Sequence, residues 1–417
     1  MYFSQTIPSV RHATIAVALL HRSHLDGGNT YAANHRSSVQ ETALFHNTRA
    51  MQLLLHQSPT DEKSDQMAIV LLVCYLFICF DHLAGTDVQA LQHLEAGVKL
   101  SRTLIKTFDS GRQTNGQGGF SAIDIFIRQV ASRIRRLDMQ TIMFLTDRTP
   151  VGAQETSNTR LTASNDAFWS VDEATDSLLP LIARVMQLFY ASHECPPADI
   201  VSFSSQATTT LVELESWLIR FEAMMELQQS GSSLLSTGSG DYPIAALLRL
   251  QYTIGTILLK CLGPDREMNY DLFLPQFEQC VALARIVMEA HEQYSGSNHP
   301  TFTPEVGVLP VLYIMGAKCR HPQIRREIVK ILKRQLIREA VWNSIWAAAV
   351  LERIIDIEER GLDAERSPVQ EMGEISASQR IEAVSWLHVP DAHSTDRLDV
   401  TYIFCGQSRI HEETIFV

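Results

Sequence analysis

Residues 67–80 read Met67-Ala68-Ile69-Val70-Leu71-Leu72-Val73-Cys74-Tyr75-Leu76-Phe77-Ile78-Cys79-Phe80, an unbroken apolar run of 14 residues. A bilayer-spanning helix needs about 18 or more such residues, so the run reads as a buried core helix, capped by Ser64-Asp65. Helical patterns flank it. Ser9 stands before the compact apolar stretch 10–20 and reads as the cap of a first helix. A second helix is expected over 33–57, with Ala43, Leu44, Met51, Leu54 and Leu55 as its buried stripe. Beyond Asp87, a capping residue, Leu91, Leu94, Val98, Leu100 and Leu104 recur at helical spacing. Four helices in about a hundred residues imply antiparallel packing.

Further along the chain, residues 109–119 are rich in Gly, Ser, Asn and Gln and predict a loop before a helix over 121–145, and 149–166 form a polar connection. Helices are predicted over 176–193 and 198–229, then a Ser/Gly segment over 230–240, then helices over 242–262, 274–293, 310–319, 322–338 and 341–359. No fixed sequence period accompanies them. The tail differs, because 380–389 alternates in part and 398–405 is rich in β-formers. The expected fold class is all-α: a large domain of antiparallel helices over residues 1–360, and a C-terminal extension over 361–417 with a β-hairpin at 380–405.

The chain has 417 residues, 45% apolar and 20% charged, ordinary for a globular protein. Its net charge of -12 repels phosphates and anionic membrane surfaces as a whole. Seven dispersed cysteines read as reduced thiols, and residues 1–6 lack the character of a secretory signal, so an intracellular protein with no membrane segment is expected.

Chemistry-bearing constellations are sparse. Cys74 and Cys79 lie about 140° apart around one helix and His82 adds no chelating pair; with no C-x2-C in the chain, no metal is expected. No G-x-S-x-G is present, and Ser295-Gly296-Ser297-Asn298-His299 reads as a loop. Glycines 111, 116, 118 and 119 lack the Lys-Ser/Thr successor of a phosphate loop. The fifteen histidines are scattered, so no cofactor or catalytic set is expected. The concentrated feature is Lys318, Arg320, Arg325, Arg326, Lys330, Lys333, Arg334 and Arg338 against one acid, Glu327, a local charge of +7. Arg326, Lys330, Lys333 and Arg334 share one helical face, opposite Ile324, Ile328, Ile331 and Leu332. The helix that follows carries Glu352, Asp356, Glu358 and Glu359, and its antiparallel return pairs with the basic helix; a docking face for an acidic protein and a phosphate contact are the competing readings.

Three elements occur together in this region: Leu309-Pro310-Val311-Leu312-Tyr313, then Lys318-Cys319-Arg320-His321-Pro322-Gln323-Ile324-Arg325-Arg326, then Arg338-Glu339-Ala340-Val341-Trp342. Their order resembles the fungal-specific domain of zinc binuclear cluster transcription factors. Residues 10–21, 71–80 and 93–100 also look familial, so the resemblance spans roughly residues 8–390. It implies a helical regulatory domain in a fungal nucleus, associated with secondary-metabolite gene clusters and acting through protein partners, either other transcription regulators or a second copy. It singles out Pro310, Tyr313, Lys318, Cys319, Arg320, Pro322, Arg325, Arg326, Glu339 and Trp342 as structural or partner-binding residues, with Arg320, Arg325 and Arg326 expected to pair with Glu339 or with the acids from Glu352 onward. The family's six-cysteine DNA reader has no counterpart in this sequence. That leaves either an upstream exon that holds it or a paralogue without one, and predicts no zinc and no sequence-specific DNA binding by this chain alone. A helical adaptor without a transcriptional role is the alternative; an enzyme is not expected.

Overall fold

The computed structural model describes residues 2–26, 33–56, 63–115, 122–143, 166–194, 200–231, 241–263, 265–295, 299–360, 369, 371–389, 396–406 and 410–417. It divides into two compact units: Met1–Arg160 with His299–Val306 and Arg338–Val341, and Leu161–Asn298 with Gly307–Ile337 and Trp342–Val417.

The first unit holds helices α1 (Tyr2–Thr6), α2 (Pro8–Leu25), α3 (Ala33–Leu55), α4 (Lys63–Ala84), α5 (Asp87–Asn115) and α6 (Ala122–Gln140), and strand β1 (Thr301–Thr303). The opening apolar run lies in α4, the hub of this unit. Val73 and Phe77 pack with Val10, Ala13 and Ala50 of α2 and α3. Leu71 and Ile78 pack with Leu94, Val98, Ile127 and Ile134 of α5 and α6. A helix with neighbours on both sides has to be apolar around most of its circumference, which is the pattern read from the sequence. The α4–α5 turn closes at Gly85, whose φ of +77° suits glycine. The buried Asp81 carboxylate accepts from Thr86 Oγ1 at 3.0 Å and lies 2.8 Å from His93 Nδ1. In the same unit the Gln140 side-chain amide donates from Nε2 to Val306 O at 2.9 Å and accepts the Val306 N–H on Oε1 at 3.0 Å.

The second unit holds α7 (Val171–Glu194), α8 (Ile200–Gly231), α9 (Asp241–Lys260), the short α10 (Arg266–Asn269), α11 (Leu274–Ser295), α12 (Leu309–Lys318), α13 (Pro322–Lys333) and α14 (Ser344–Arg360). Here α9 is the hub, packed by α7, α8, α11 and α12. Trp217 of α8 stacks on Phe221, with centroids 4.9 Å apart, and donates its indole N–H to Ala174 O at 2.9 Å. By length and composition Gln66–Ala84 and Tyr242–Lys260 are apolar enough to cross a membrane. Both are the hub helices of their units, a role that selects the same composition.

Between the helices run the short strands β2 (Ile337–Glu339) and β3 (Trp342–Asn343); at the end β4 (Ile381–Val389), β5 (Arg397–Phe404) and β6 (Ile410–Phe416) form an antiparallel sheet in that order. The expected hairpin is β4–β5, and β6 is an addition, since His411 to Ile415 alternates too poorly in hydrophobicity to announce a strand.

Several expectations need correction. Ser9 is not the cap of α2: Ile7 occupies that position and Pro8 the first turn. Leu44 and Leu55 are exposed, because α3 packs chiefly on α2 and buries the narrow face of Ala43, Asn47 and Ala50. The expected loop at 109–115 is the last part of α5; its single glycine, Gly111, costs a helix only about 1 kcal/mol. Helix α13 ends at Lys333, not at 338, because the Ser344 hydroxyl donates to Gln335 O at 2.8 Å and accepts from Ile337 N–H at 3.0 Å, which fixes the chain in a turn into β2. Residues 116–119 of the loop predicted over 109–119, 149–165 of the connection predicted over 149–166, 232–240 of the Ser/Gly segment predicted over 230–240, and Cys195 lie outside the described residues; 230–231 end α8.

Gly316 is where α12 meets both α13 and α14. A Cβ there would stand 2.7 Å from Leu351 Cδ1 and 3.4 Å from Ile328 Cγ2. Gly316→Ala is therefore expected to cost about 1–3 kcal/mol through overpacking, read as a lower urea midpoint at unchanged m-value, whereas alanine at Gly373, which has open space around it, should leave the midpoint in place.

Candidate functional site: a buried ion-pair core

The segment 309–334 is built as two short helices around a bend. Pro310 and Pro322 each occupy the first turn of a helix, where a missing N–H removes no intrahelical bond. Between them Cys319 and His321 are extended, at φ -81° ψ 114° and φ -69° ψ 118°. That bend turns Arg320 inward. In α13, Ile324, Ile328, Ile331 and Leu332 form the buried side, and Arg325 lies among them, fully buried.

Arg320, Arg325 and Glu358 have no exposed surface, and Glu267 has 1%. Glu358, on α14, takes Arg320 Nη2 on Oε1 at 3.0 Å and Arg325 Nη2 on Oε2. The Ile381 N–H of β4 also donates to Oε1, at 2.7 Å. Glu267, on α10, meets Lys318 Nζ at 2.5 Å and Arg320 Nη1 at 2.8 Å. The cations also donate to backbone: Lys318 Nζ to Glu382 O at 2.8 Å, Arg320 to Lys318 O and Ile381 O, and Arg325 Nε to Gly316 O at 3.1 Å, while Arg320 Nε and Arg325 Nη1 are buried without a hydrogen-bond partner. A third fully buried guanidinium, Arg380, donates to Glu267 O at 2.6 Å and grips Asp271 at 2.9 and 2.6 Å. Arg266 pairs with Glu382.

Burial alone would raise the Glu358 pKa; Arg320 and Arg325 outweigh it and hold the carboxyl at about 2, below its ordinary 4.5. Glu267 is lowered in the same way, with Lys318 and Arg320 overcoming the burial penalty. A buried charge is tolerated only with such partners, because stranding it costs several kcal/mol.

Outside this core the basic helix faces glutamates. Arg326 forks onto Glu359 at 3.1 and 2.5 Å, Lys333 reaches Glu352 at 2.6 Å, and Arg334 reaches Glu292 of α11 at 2.7 Å. Tyr313, Trp342 and Trp386 form an aromatic cluster with centroids 4.7 to 5.6 Å apart. Cys319 is buried, which pushes its thiol up to about 11 and makes it a poor nucleophile and ligand.

The segment's expected residues thus converge, with one exception. Glu339 is buried in the first unit, and the carboxylates that receive Arg320, Arg325 and Arg326 are Glu267, Glu358 and Glu359. No sequence signal marks the partners Glu267, Asp271, Arg380 and Trp386: Glu267 and Asp271 stand in one-turn helices, Arg380 just before β4, and Trp386 in the strand 381–389, whose partial alternation announces a strand but not its contacts. Cys74, Cys79 and His82 do not converge. Cys74 Sγ donates to His93 O at 2.9 Å, His82 faces Asp87, and burial pushes both thiols up to about 12. Among the described residues no group of three or more His, Cys, Asp or Glu is placed to hold a metal ion.

Compared with known proteins, residues 3–354 match the family model described as the fungal specific transcription factor domain. No curated protein and no solved structure matches the chain.

Removing one partner of the buried core strands the other. Arg325→Ala and Glu358→Gln are each expected to cost about 3–5 kcal/mol in chemical denaturation, whereas Lys333→Ala, at a half-exposed pair, should cost about 0–1 kcal/mol. The depressed Glu358 pKa adds a pH signature. Its contribution, about 3 kcal/mol for a shift of this size, is present above pH 4.5 and is lost as pH falls toward 2. Melting temperatures across that window should fall less steeply in Glu358→Gln than in the wild-type chain.

Proposed function

We propose, from the premise that this chain belongs to the fungal-specific transcription factor domain family, that it is a nuclear transcription regulator that acts through protein partners and not by reading DNA itself. The family match over residues 3–354 carries the regulatory reading. The partner-mediated route is supported by the fate of the basic segment. Of its cations, Lys318, Arg320 and Arg325 are buried, and Arg326, Lys333 and Arg334 face glutamates. Affinity for DNA rests on cations free to displace counterions from phosphates, and the net charge of -12 opposes approach. A role at a secondary-metabolite gene cluster is the finer form of this proposal and follows from the family resemblance.

In this reading the buried core keeps the regulatory unit in one shape, and the surfaces outside it meet the partners. Fused to an unrelated DNA-binding domain, the chain is expected to change the output of a reporter carrying that domain's site, while the unfused chain leaves no footprint on promoter DNA. A fusion that is nuclear and folded yet leaves the reporter unchanged would count against a transcriptional role and leave an adaptor.

A further inference from the structure

The two edges of the C-terminal sheet differ. At β4 the register shifts between Ile381 and Ala383. Its first backbone groups are occupied, since Ile381 N–H goes to Glu358 and the carbonyls of Ile381 and Glu382 accept Arg320 and Lys318. A bulge and occupied groups keep an edge from recruiting another strand. None of these devices protects β6. Residues 410–416, Ile410-His411-Glu412-Glu413-Thr414-Ile415-Phe416, contain no proline, lysine or glycine. They pair with β5 without interruption from Arg397↔Phe416 to Ile403↔Ile410, and among the described residues no strand lies on the far side.

The ladder fixes which groups face outward. Val417 N–H donates to Asp396 O at 2.9 Å. Backbone groups of an antiparallel strand alternate in direction, so residues 411, 413 and 415 bond to β5, and the N–H and C=O of Ile410, Glu412, Thr414 and Phe416 point away from it. The side chains of those same four residues stand on the exposed face of the sheet, with Ile410 61% and Phe416 66% accessible.

We propose that β6 is a dimerisation edge, paired antiparallel with β6 of a second copy about a two-fold axis through Glu413. This register matches every outward backbone group with a complement, Ile410 with the partner subunit's Phe416 and Glu412 with the partner subunit's Thr414. It sets apolar side chains together at both ends and no carboxylate against another on the exposed face. An axis through Glu412 would oppose the two Glu412 carboxylates and leave Phe416 without a partner; an axis through Thr414 would set Glu412 against the partner subunit's Phe416 and leave Ile410 over. A one-residue slip would turn the exposed face of one copy to the covered face of the other. On the covered face the two Glu413 side chains meet, and each is already held by Arg353 Nε at 2.8 and 2.9 Å, which compensates its charge. The inference stands on strand geometry and is independent of the regulatory reading.

Sedimentation of the full chain is expected to show a concentration-dependent dimer. Glu412→Pro deletes an outward N–H and spares the bonds to β5, so this variant should keep the wild-type circular dichroism and sediment as a monomer. The register is tested separately. Hydrogen-bonded pairs across an antiparallel ladder lie about 5.5 Å apart at Cα, within disulfide reach, so Ile410→Cys combined with Phe416→Cys should give a covalent dimer on oxidation. If the proline variant fails to fold, the cross-link decides. A wild-type chain that stays monomeric throughout, or a dimer that survives Glu412→Pro and yields no cross-link, overturns the proposal; so does a monomeric chain whose β6 edge takes up an unrelated extended peptide.

Discussion

One carboxylate gathers four elements. Glu358 on α14 accepts Arg320 from the bend between α12 and α13, Arg325 from within α13, and the first backbone N–H of β4. Arg320 then hands its other nitrogen to Glu267 on α10, where Lys318 also ends. Ionising these groups out of water is unfavourable unless each finds several partners at once, and they do so only when the helices stand in one register. The network therefore holds these helices in one arrangement, and losing one partner costs more than the intact network adds over apolar packing.

Close packing and charge act together here. Gly316 lets Leu351 approach the α12 backbone, and the carbonyl of the same residue receives Arg325. Pro310 and Pro322 fix where the two short helices begin, so the extended Cys319-Arg320-His321 bend has no freedom to drift. The most basic stretch of the chain is spent largely on internal carboxylates, so few of its cations are open to an outside phosphate.

Much of the fold was legible because its signals are local. The all-apolar run at 67–80, the stripe of Leu94, Val98 and Leu104, and the proline-initiated helices at 309 and 322 each announce themselves within a few turns. The pairing of the basic helix with the acids beyond residue 352 was legible too, because adjacent antiparallel helices juxtapose segregated charges. What failed was non-local. Leu44 and Leu55 look like core residues until α3 proves to have a narrow buried face, and Glu267, Asp271 and Arg380 stand more than forty residues along the chain from the basic segment 318–338. No spacing rule connects them; only the fold brings them together. Strand β6 hid for a different reason: Ile410 and Phe416 stand on its exposed face and His411 and Glu413 on the covered one, where Arg353 holds the Glu413 carboxylate, so the apolar-in, polar-out alternation that marks a half-buried strand is broken.

Arg325 and Glu358 depend on each other's charge, and a double-mutant cycle measures that coupling directly. Arg325→Met, Glu358→Gln and the double variant, compared by urea denaturation with the wild-type chain, should show a coupling of about 2–3 kcal/mol, the double variant being far less damaged than the sum of the single changes predicts. Additivity within about 0.5 kcal/mol would contradict the account, because it would mean that the two groups fill space beside each other without depending on each other's charge.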